Sequence, residues 1–150
     1  VLAQAIITAL GCMFYVGMQS VNPLLLILAC CICSLNFMAM NYALVYALDN
    51  IGMAIAVIIM VIQVAGSGGS YPVHVLPEFF QKLYNFMPFH YGMDMIRETI
   101  GGFYGHTYLR CAVIMLLMCV GFAIFGLLVY YPAKPINKLI AESKEKSGIM

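Results

Sequence analysis

Charged residues are scarce in this sequence, and their scarcity decides its broad class. Only 9% of the 150 residues are Asp, Glu, Lys or Arg, whereas about a quarter is usual in soluble domains. This deficit excludes a soluble domain, and it excludes a disordered chain because disorder goes with high charge and low hydrophobicity. No charged residue precedes Asp49, and no basic residue precedes Lys82. The whole chain is 64% hydrophobic, with a mean hydropathy of +0.98, and this composition indicates a membrane protein.

The N-terminal segment also lacks basic residues. A signal peptide carries a positively charged region before a short apolar core, and no such region is present here. The chain starts at Val1 rather than Met and is apolar from its first residue. We therefore expect that it continues a longer protein and that a membrane span begins at or before Val1.

Motifs for common chemistry are absent as well. The sequence has no Gly-x-x-x-x-Gly-Lys-[Ser/Thr], so it contains no P-loop for a nucleotide. It has no His-Glu-x-x-His or comparable set, no Ser/His/Asp order and no basic groove. We expect no metal, no cofactor, no nucleic-acid partner and no enzymatic activity. An intramembrane enzyme using His74, His90 and Asp94 is the least favoured alternative.

The six cysteines all lie inside apolar runs. Disulfide frameworks belong to small secreted domains with polar surroundings, and thiolates are costly in hydrocarbon. We therefore interpret these cysteines as small apolar side chains. They are Cys12, Cys30, Cys31, Cys33, Cys111 and Cys119.

Four apolar runs predict an all-α, polytopic membrane domain over residues 1–132. A helix needs about 20 apolar residues to cross a bilayer, and the third run is short by this measure. The second run carries Asn36, which we expect to face another helix rather than lipid. Pro132 and Pro135 are expected to end the last span. The four predicted spans are about 1–18, 24–48, 51–66 and 108–131.

The tail, residues 133–150, is polar and contains four of the seven basic residues. The positive-inside rule places it in the cytoplasm. Because four spans is an even number, we expect the N-terminal end to be cytoplasmic too. The turn at Asp49 and Asn50 would then lie inside, and the segment 67–106 outside.

The outer segment is too broken by Pro and Gly to span a bilayer and too apolar for an ordinary loop. Such a segment is expected where a chain dips into a membrane or lies along its face. Pro77 predicts the start of a short helix reaching about Met87, and Pro88 ends it. A second helix is predicted over about 89–100, with Asp94 and Arg97 able to pair. Its apolar stripe is Phe89, Met93, Ile96, Ile100 and Phe103.

The order of motifs in this region resembles the YhgE/Pip, or phage infection protein, family. More distantly it looks like the permeases of type-2 ABC exporters. The strings that carry the resemblance are Gly68-Gly69-Ser70-Tyr71-Pro72, Leu76-Pro77-Glu78-Phe79-Phe80, Pro88-Phe89-His90-Tyr91-Gly92 and Arg97-Glu98-Thr99-Ile100-Gly101-Gly102. Each string alone is weak, but the ordered set is fairly specific.

The resemblance implies two short re-entrant or interfacial helices before the last span, in a plasma-membrane protein linked to transport or secretion. It also implies a possible homodimer and a separate ATPase subunit, because the chain has no nucleotide site of its own. A second interpretation remains open, in which the spans anchor an outer domain that binds a phage or a wall component. The sequence specifies neither the cargo nor the direction of transport.

Candidate site residues therefore lie in the outer segment. One group would shape the re-entrant backbone, and the other would make polar contacts. The shape group is Gly68, Gly69, Tyr71, Pro72, Pro77, Pro88, Tyr91, Gly101 and Gly102, and the polar cluster is Asp94, Arg97 and Glu98.

Overall fold

A computed structural model describes residues 1–67, 73–75, 77–84, 86–102 and 105–146, with the side chains of residues 73, 83 and 132–146 excepted. Over these residues all regular structure is helical, as the sequence predicts. The elements are α1 (Leu2–Phe14), α2 (Pro23–Gly66), a 3-10 turn (Val73–Val75), α3 (Glu78–Tyr84), α4 (Pro88–Gly101) and α5 (Thr107–Lys146).

Helix α2 is interrupted by a reversal at Asp49. Its 44 residues include one non-helical position, Asp49, with φ 52° and ψ −128°. That backbone conformation is costly for a residue with a Cβ. The interruption divides α2 into a first arm, residues 23–48, and a second arm, residues 50–66, close to the boundaries predicted for two separate runs.

The two arms fold back against each other. A Cβ on Gly52 would meet the backbone oxygen of Leu44, so only glycine fits where the arms begin to separate. Further along, the Nε2 of Gln63 lies 3.1 Å from the sulfur of Met40. Since residue numbers rise on one arm as they fall on the other, the arms are antiparallel.

Helix α5 runs parallel to the first arm. The hydroxyl of Tyr108 donates to the carbonyl of Leu25 at 2.9 Å. The buried Asn36 donates to the carbonyl of Met115 at 2.6 Å, as expected for a polar group that faces another helix. Further along, Gly126 of α5 packs against Ala43 of the first arm, since a Cβ on Gly126 would lie 2.9 Å from the Cα of Ala43. Residue numbers therefore rise in the same direction on both helices.

The expected end of α5 at the prolines is wrong. The helix continues through Pro132 and Pro135 to Lys146, a total of 40 residues. Each proline removes one backbone hydrogen bond. Both prolines follow the apolar run, where water can satisfy the carbonyls that lose their partners. In the sequence, Pro132 and Lys134 follow directly after the apolar run of α5, and the end of the last span at about residue 131 stays a prediction.

Two helices in the described part of the chain are long and apolar enough to cross a membrane. They are Pro23–Gly66, with a mean hydropathy of 2.2, and Thr107–Tyr131, with a mean hydropathy of 2.9. In the most apolar 18-residue stretch of each helix, only 22% and 17% of the residues are buried. The core helices of soluble proteins, by contrast, are mostly buried. Helix α1 is apolar but has 13 residues, too few to cross alone. The predicted count of four spans therefore stays a prediction.

Candidate functional site

Helix α4 begins and ends where its sequence dictates. Met87 is extended, and Pro88 occupies the first turn, where its missing N–H costs nothing. At the other end Gly102 has φ 102°, and its N–H donates to the carbonyl of Glu98 at 3.1 Å. This positive φ favours glycine at position 102. The predicted helix of about 89–100 is therefore observed, one residue longer at each end.

Helix α4 lies against the first arm of α2, in the opposite direction. The carbonyl of Thr99 accepts the N–H of Val21 at 3.0 Å. Ring centroids of Phe89 and Phe37 are 5.7 Å apart. From Pro23 to Phe37 the first arm covers about 21 Å, so α4 starts deep in the bundle and ends near the beginning of α2. α4 is thus a helix that enters the bundle from one end.

The closest approach is made at Gly92. A Cβ at this position would lie 2.7 Å from the sulfur of Cys33 and 3.7 Å from the Cε of Met115. Gly92 therefore allows α4 to contact both the first arm and α5. Met95, one turn further on, is fully buried with Ala29 in the same cluster.

The apolar stripe predicted for α4 is not its buried face. The buried positions are Pro88, His90, Gly92, Met95 and Thr99. Of the stripe, Phe89, Met93 and Ile96 are half-buried, Ile100 is 37% exposed, and Phe103 lies outside the described residues. The periodicity of apolar residues located a stripe on α4 but did not indicate which side of the helix contacts other helices. Inside a membrane bundle small residues make the helix contacts, and apolar residues can face outward at no cost.

His90 connects α3 to α4. Its ring stacks on Tyr84 of α3, with centroids 4.0 Å apart, and lies 3.7 Å from the ring of Tyr91. The Nδ1 of His90 lies 2.9 Å from the carbonyl of Met87, and because a carbonyl only accepts, Nδ1 carries the proton of this hydrogen bond. Burial lowers the pKa of His90, and the Met87 carbonyl and the Asp94 carboxylate oppose this effect.

The predicted polar cluster divides into two parts. Arg97 and Asp94 form an ion pair at 3.5 Å, which confirms their predicted pairing, with side chains 54% and 34% exposed. Glu98 has a different partner, because its carboxylate accepts the backbone N–H of Tyr108 at 2.8 Å. It thereby binds an N–H of the first turn of α5, which has no partner within its own helix. The chain spacing gave no indication of this contact.

Of the remaining candidate residues, some lie within the described part of the chain and others outside it. Pro77 directly precedes α3, and its carbonyl accepts the N–H groups of Phe80 and Gln81 at 2.9 and 3.2 Å. Tyr91 is half-buried, and Gly101 ends α4 at an exposed position. Functional roles for these residues stay predictions. Gly68, Gly69, Tyr71 and Pro72 lie outside the described residues.

Sequence reasoning missed an apolar pocket at the start of α4. It has a volume of about 560 Å³ and lies between both arms of α2, α5 and residues 86–88. Gln63 is its buried polar residue. The position of Gln63 near the end of an apolar run was visible in the sequence, but which elements surround it was not.

Comparison with known proteins gives two matches. Residues 1–100 match the sequence model described as ABC-2 type transporter. The chain is 30% identical over 113 residues to "Uncharacterized protein YhgE" of Bacillus subtilis (strain 168), which covers 75% of this chain and 15% of the relative. The chain therefore spans a small part of the curated relative that it matches. No solved structure matches the chain.

Proposed function

This chain belongs to the ABC-2 type transporter family, and we propose that it is the membrane-embedded part of a permease that moves a substrate across the plasma membrane. Membership carries the broad assignment to membrane transport. The more specific proposal draws on the arrangement of the helices.

We propose four spans with a cytoplasmic C-terminus. The first span includes α1, the next two are the arms of α2, and the last is α5 as far as Tyr131. The directions of the helices support this topology, because the first arm and α5 are parallel while the second arm runs the opposite way. Two parallel helices cross the membrane in the same direction. The basic tail favours a cytoplasmic end for α5, and the first arm would then also end at the cytoplasmic side.

The observation that supports the permease best is the position of α4. A segment with Pro, Gly and charged residues packs against both the first arm and α5 instead of covering their ends. Irregular segments at membrane depth are tolerated only where protein surrounds them or where they line a cavity. In α4 the first turn does line a cavity, the pocket at Pro88. An anchor for an outer domain has no need of such a segment.

An ATPase partner is part of the proposal, because the sequence has no P-loop. The turn at Asp49 offers it little surface. The part of α5 beyond Tyr131 continues as helix to Lys146, which at the rise of an α-helix is a length of about 22 Å. This extension would give a cytoplasmic subunit a place to dock. A homodimer of the chain is likewise proposed.

The test is purification of the protein from its native membrane, followed by mass spectrometry. We expect an ATPase with a P-loop in near-stoichiometric amount, and its loss when the chain is truncated after Tyr131. A monodisperse elution profile of the truncated protein controls for misfolding. No P-loop protein in either sample would contradict the permease with its partner.

One observation favours the alternative function. The chain covers only 15% of its curated relative, so most of that relative lies elsewhere and could bind a phage or a wall component while these spans anchor it. Variants that displace α4 discriminate the two functions. Gly92→Ile, which would clash with Cys33, should abolish transport by a permease and leave an anchor functional.

A further inference from the structure

The lining of the pocket at the start of α4 is almost entirely hydrocarbon. Four structural elements contribute to it, and its volume of about 560 Å³ lies within the range of about 300–1,000 Å³ that is usual for small-molecule sites. The first arm contributes Met40 and Leu44, and α5 contributes Phe122 and Phe125. An apolar molecule would be stable here, whereas water would find too few partners.

Gln63 is the exception in this apolar lining. Its side chain is 2% exposed, and its Nε2 lies against the sulfur of Met40 at 3.1 Å. Its Oε1 has no hydrogen-bond partner among the described residues. Leaving a buried amide oxygen without a donor costs about 1–3 kcal/mol. A ligand that donates one hydrogen bond to this oxygen would therefore be stabilised.

The pocket has an opening along α5. Gly121 and Phe125 on its rim are both exposed. A Cβ built on Gly121 meets no atom within 4 Å, so the absence of a side chain there keeps the space free. In the proposed topology these residues belong to the last span, and the opening faces the hydrocarbon of the bilayer.

We propose that this pocket binds a hydrocarbon-chain amphiphile whose hydroxyl donates a hydrogen bond to the Oε1 of Gln63. The apolar walls contact the hydrocarbon chain of the ligand. The single amide oxygen favours molecules with a hydrogen-bond donor over plain hydrocarbon. The ligand enters from the bilayer past Gly121. Its end contacts Met87 and Pro88, so occupancy supports the first turn of α4. This site goes beyond the proposed function, because the amphiphile need not be the transported cargo.

The test uses two photoreactive probes in the purified protein reconstituted into lipid nanodiscs. One is a long-chain alcohol with a diazirine in its chain, and the other is the matching hydrocarbon without the hydroxyl. Labelled peptides are identified by mass spectrometry. Gly121→Leu fills the pocket, Gln63→Leu removes the acceptor, and Gly11→Leu is the matched control, since a Cβ on Gly11 also meets open space.

We expect the alcohol to label the second arm and the part of α5 around Gly121. Gly121→Leu should reduce this labelling tenfold or more, and Gly11→Leu should leave it unchanged. Gln63→Leu should reduce labelling by the alcohol about five- to tenfold, the effect of one net hydrogen bond. Labelling by the hydrocarbon probe should not change.

Labelling spread evenly over the exposed faces of α2 and α5, and insensitive to Gly121→Leu, would overturn the proposal. Equal labelling by the alcohol and the hydrocarbon in the unmodified protein would also overturn it. Either result leaves the permease proposal standing, because that proposal is tested by the ATPase partner rather than by the pocket.

Discussion

At the scale of single residues, Glu98 connects α4 to α5 through the N–H of Tyr108. Sequence spacing predicted the pair of Asp94 and Arg97, because residues three apart on a helix are neighbours. It could not predict that Glu98 accepts the N–H of Tyr108, because that contact depends on how the chain returns between two helices. The pair of Asp94 and Arg97 was therefore predicted, the partner of Glu98 was not, and a functional role for the three residues stays a prediction.

Replacing Glu98 should cost more stability than replacing Arg97. Glu98→Ala removes a charge-assisted bond to a helix N-terminus and should lower the free energy of unfolding by about 1–3 kcal/mol. Arg97→Ala removes a largely exposed ion pair and should cost about 0–1 kcal/mol. Both are measured by unfolding in mixed micelles, with Glu98→Gln, which retains an acceptor, expected in between. Equal losses for Glu98→Ala and Arg97→Ala would contradict the role assigned to Glu98.

The two glycines of α5 should respond in opposite ways to the same substitution. Gly126→Ala places a Cβ 2.9 Å from the Cα of Ala43, and such overpacking typically costs about 1–3 kcal/mol. Gly121→Ala meets open space and should gain up to about 1 kcal/mol from helix propensity. The two midpoints of thermal unfolding provide the comparison. If both variants are stabilised, α5 does not cross the first arm at Gly126.

At the scale of elements, the sequence located the helices better than it located their faces. Proline and glycine set the ends of α4, and these local signals need no knowledge of the fold. The buried face of α4 depends on its neighbours, and Gly92 faces two of them. The reversal at Asp49 was predicted from two polar residues between apolar runs, whereas the continuation of α5 past Pro132 was not, because a proline after the apolar run is tolerated there.

The contact between α3 and α4 should weaken in acid through His90. Burial lowers the pKa of this ring in the folded protein, whereas an unfolded histidine has a pKa of about 6.5. The unfolded state therefore binds a proton first as the pH falls. The contribution of the neutral His90 ring to the stability of the folded protein is complete above about pH 6.5. It is lost as the pH falls from there through the lowered pKa of the folded state.

We expect the thermal midpoint to fall between pH 7.5 and pH 5 in the unmodified protein and to fall less in His90→Asn. Asn retains a donor for the carbonyl of Met87 but does not titrate. His106→Asn, at an exposed position, serves as the control and should follow the unmodified protein. A pH profile of His90→Asn identical to that of the unmodified protein would exclude His90 as the source.

At the scale of the whole molecule, membrane class and helical architecture follow from composition alone. The scarcity of charge and the lengths of the apolar runs indicate them without any tertiary information. The parallel course of the first arm and α5 agrees with the topology derived from the basic tail. The pocket could not be predicted, because residues between Met40 and Phe125 contribute to it from four elements, and no local pattern indicates which of their side chains meet.

The central claim, that α4 enters the bundle against the first arm, is tested most directly by one engineered disulfide. A Cβ at position 92 would lie 3.9 Å from the Cβ of Cys33, within the range of about 3.5–4.5 Å found in disulfides. Gly92→Cys should therefore cross-link to Cys33 under mild oxidation in the membrane, as peptide mapping would show. No cross-link should form in Gly101→Cys or after Cys33→Ala. If Gly92→Cys stays reduced and Cys33 remains open to alkylation, α4 does not lie in the bundle.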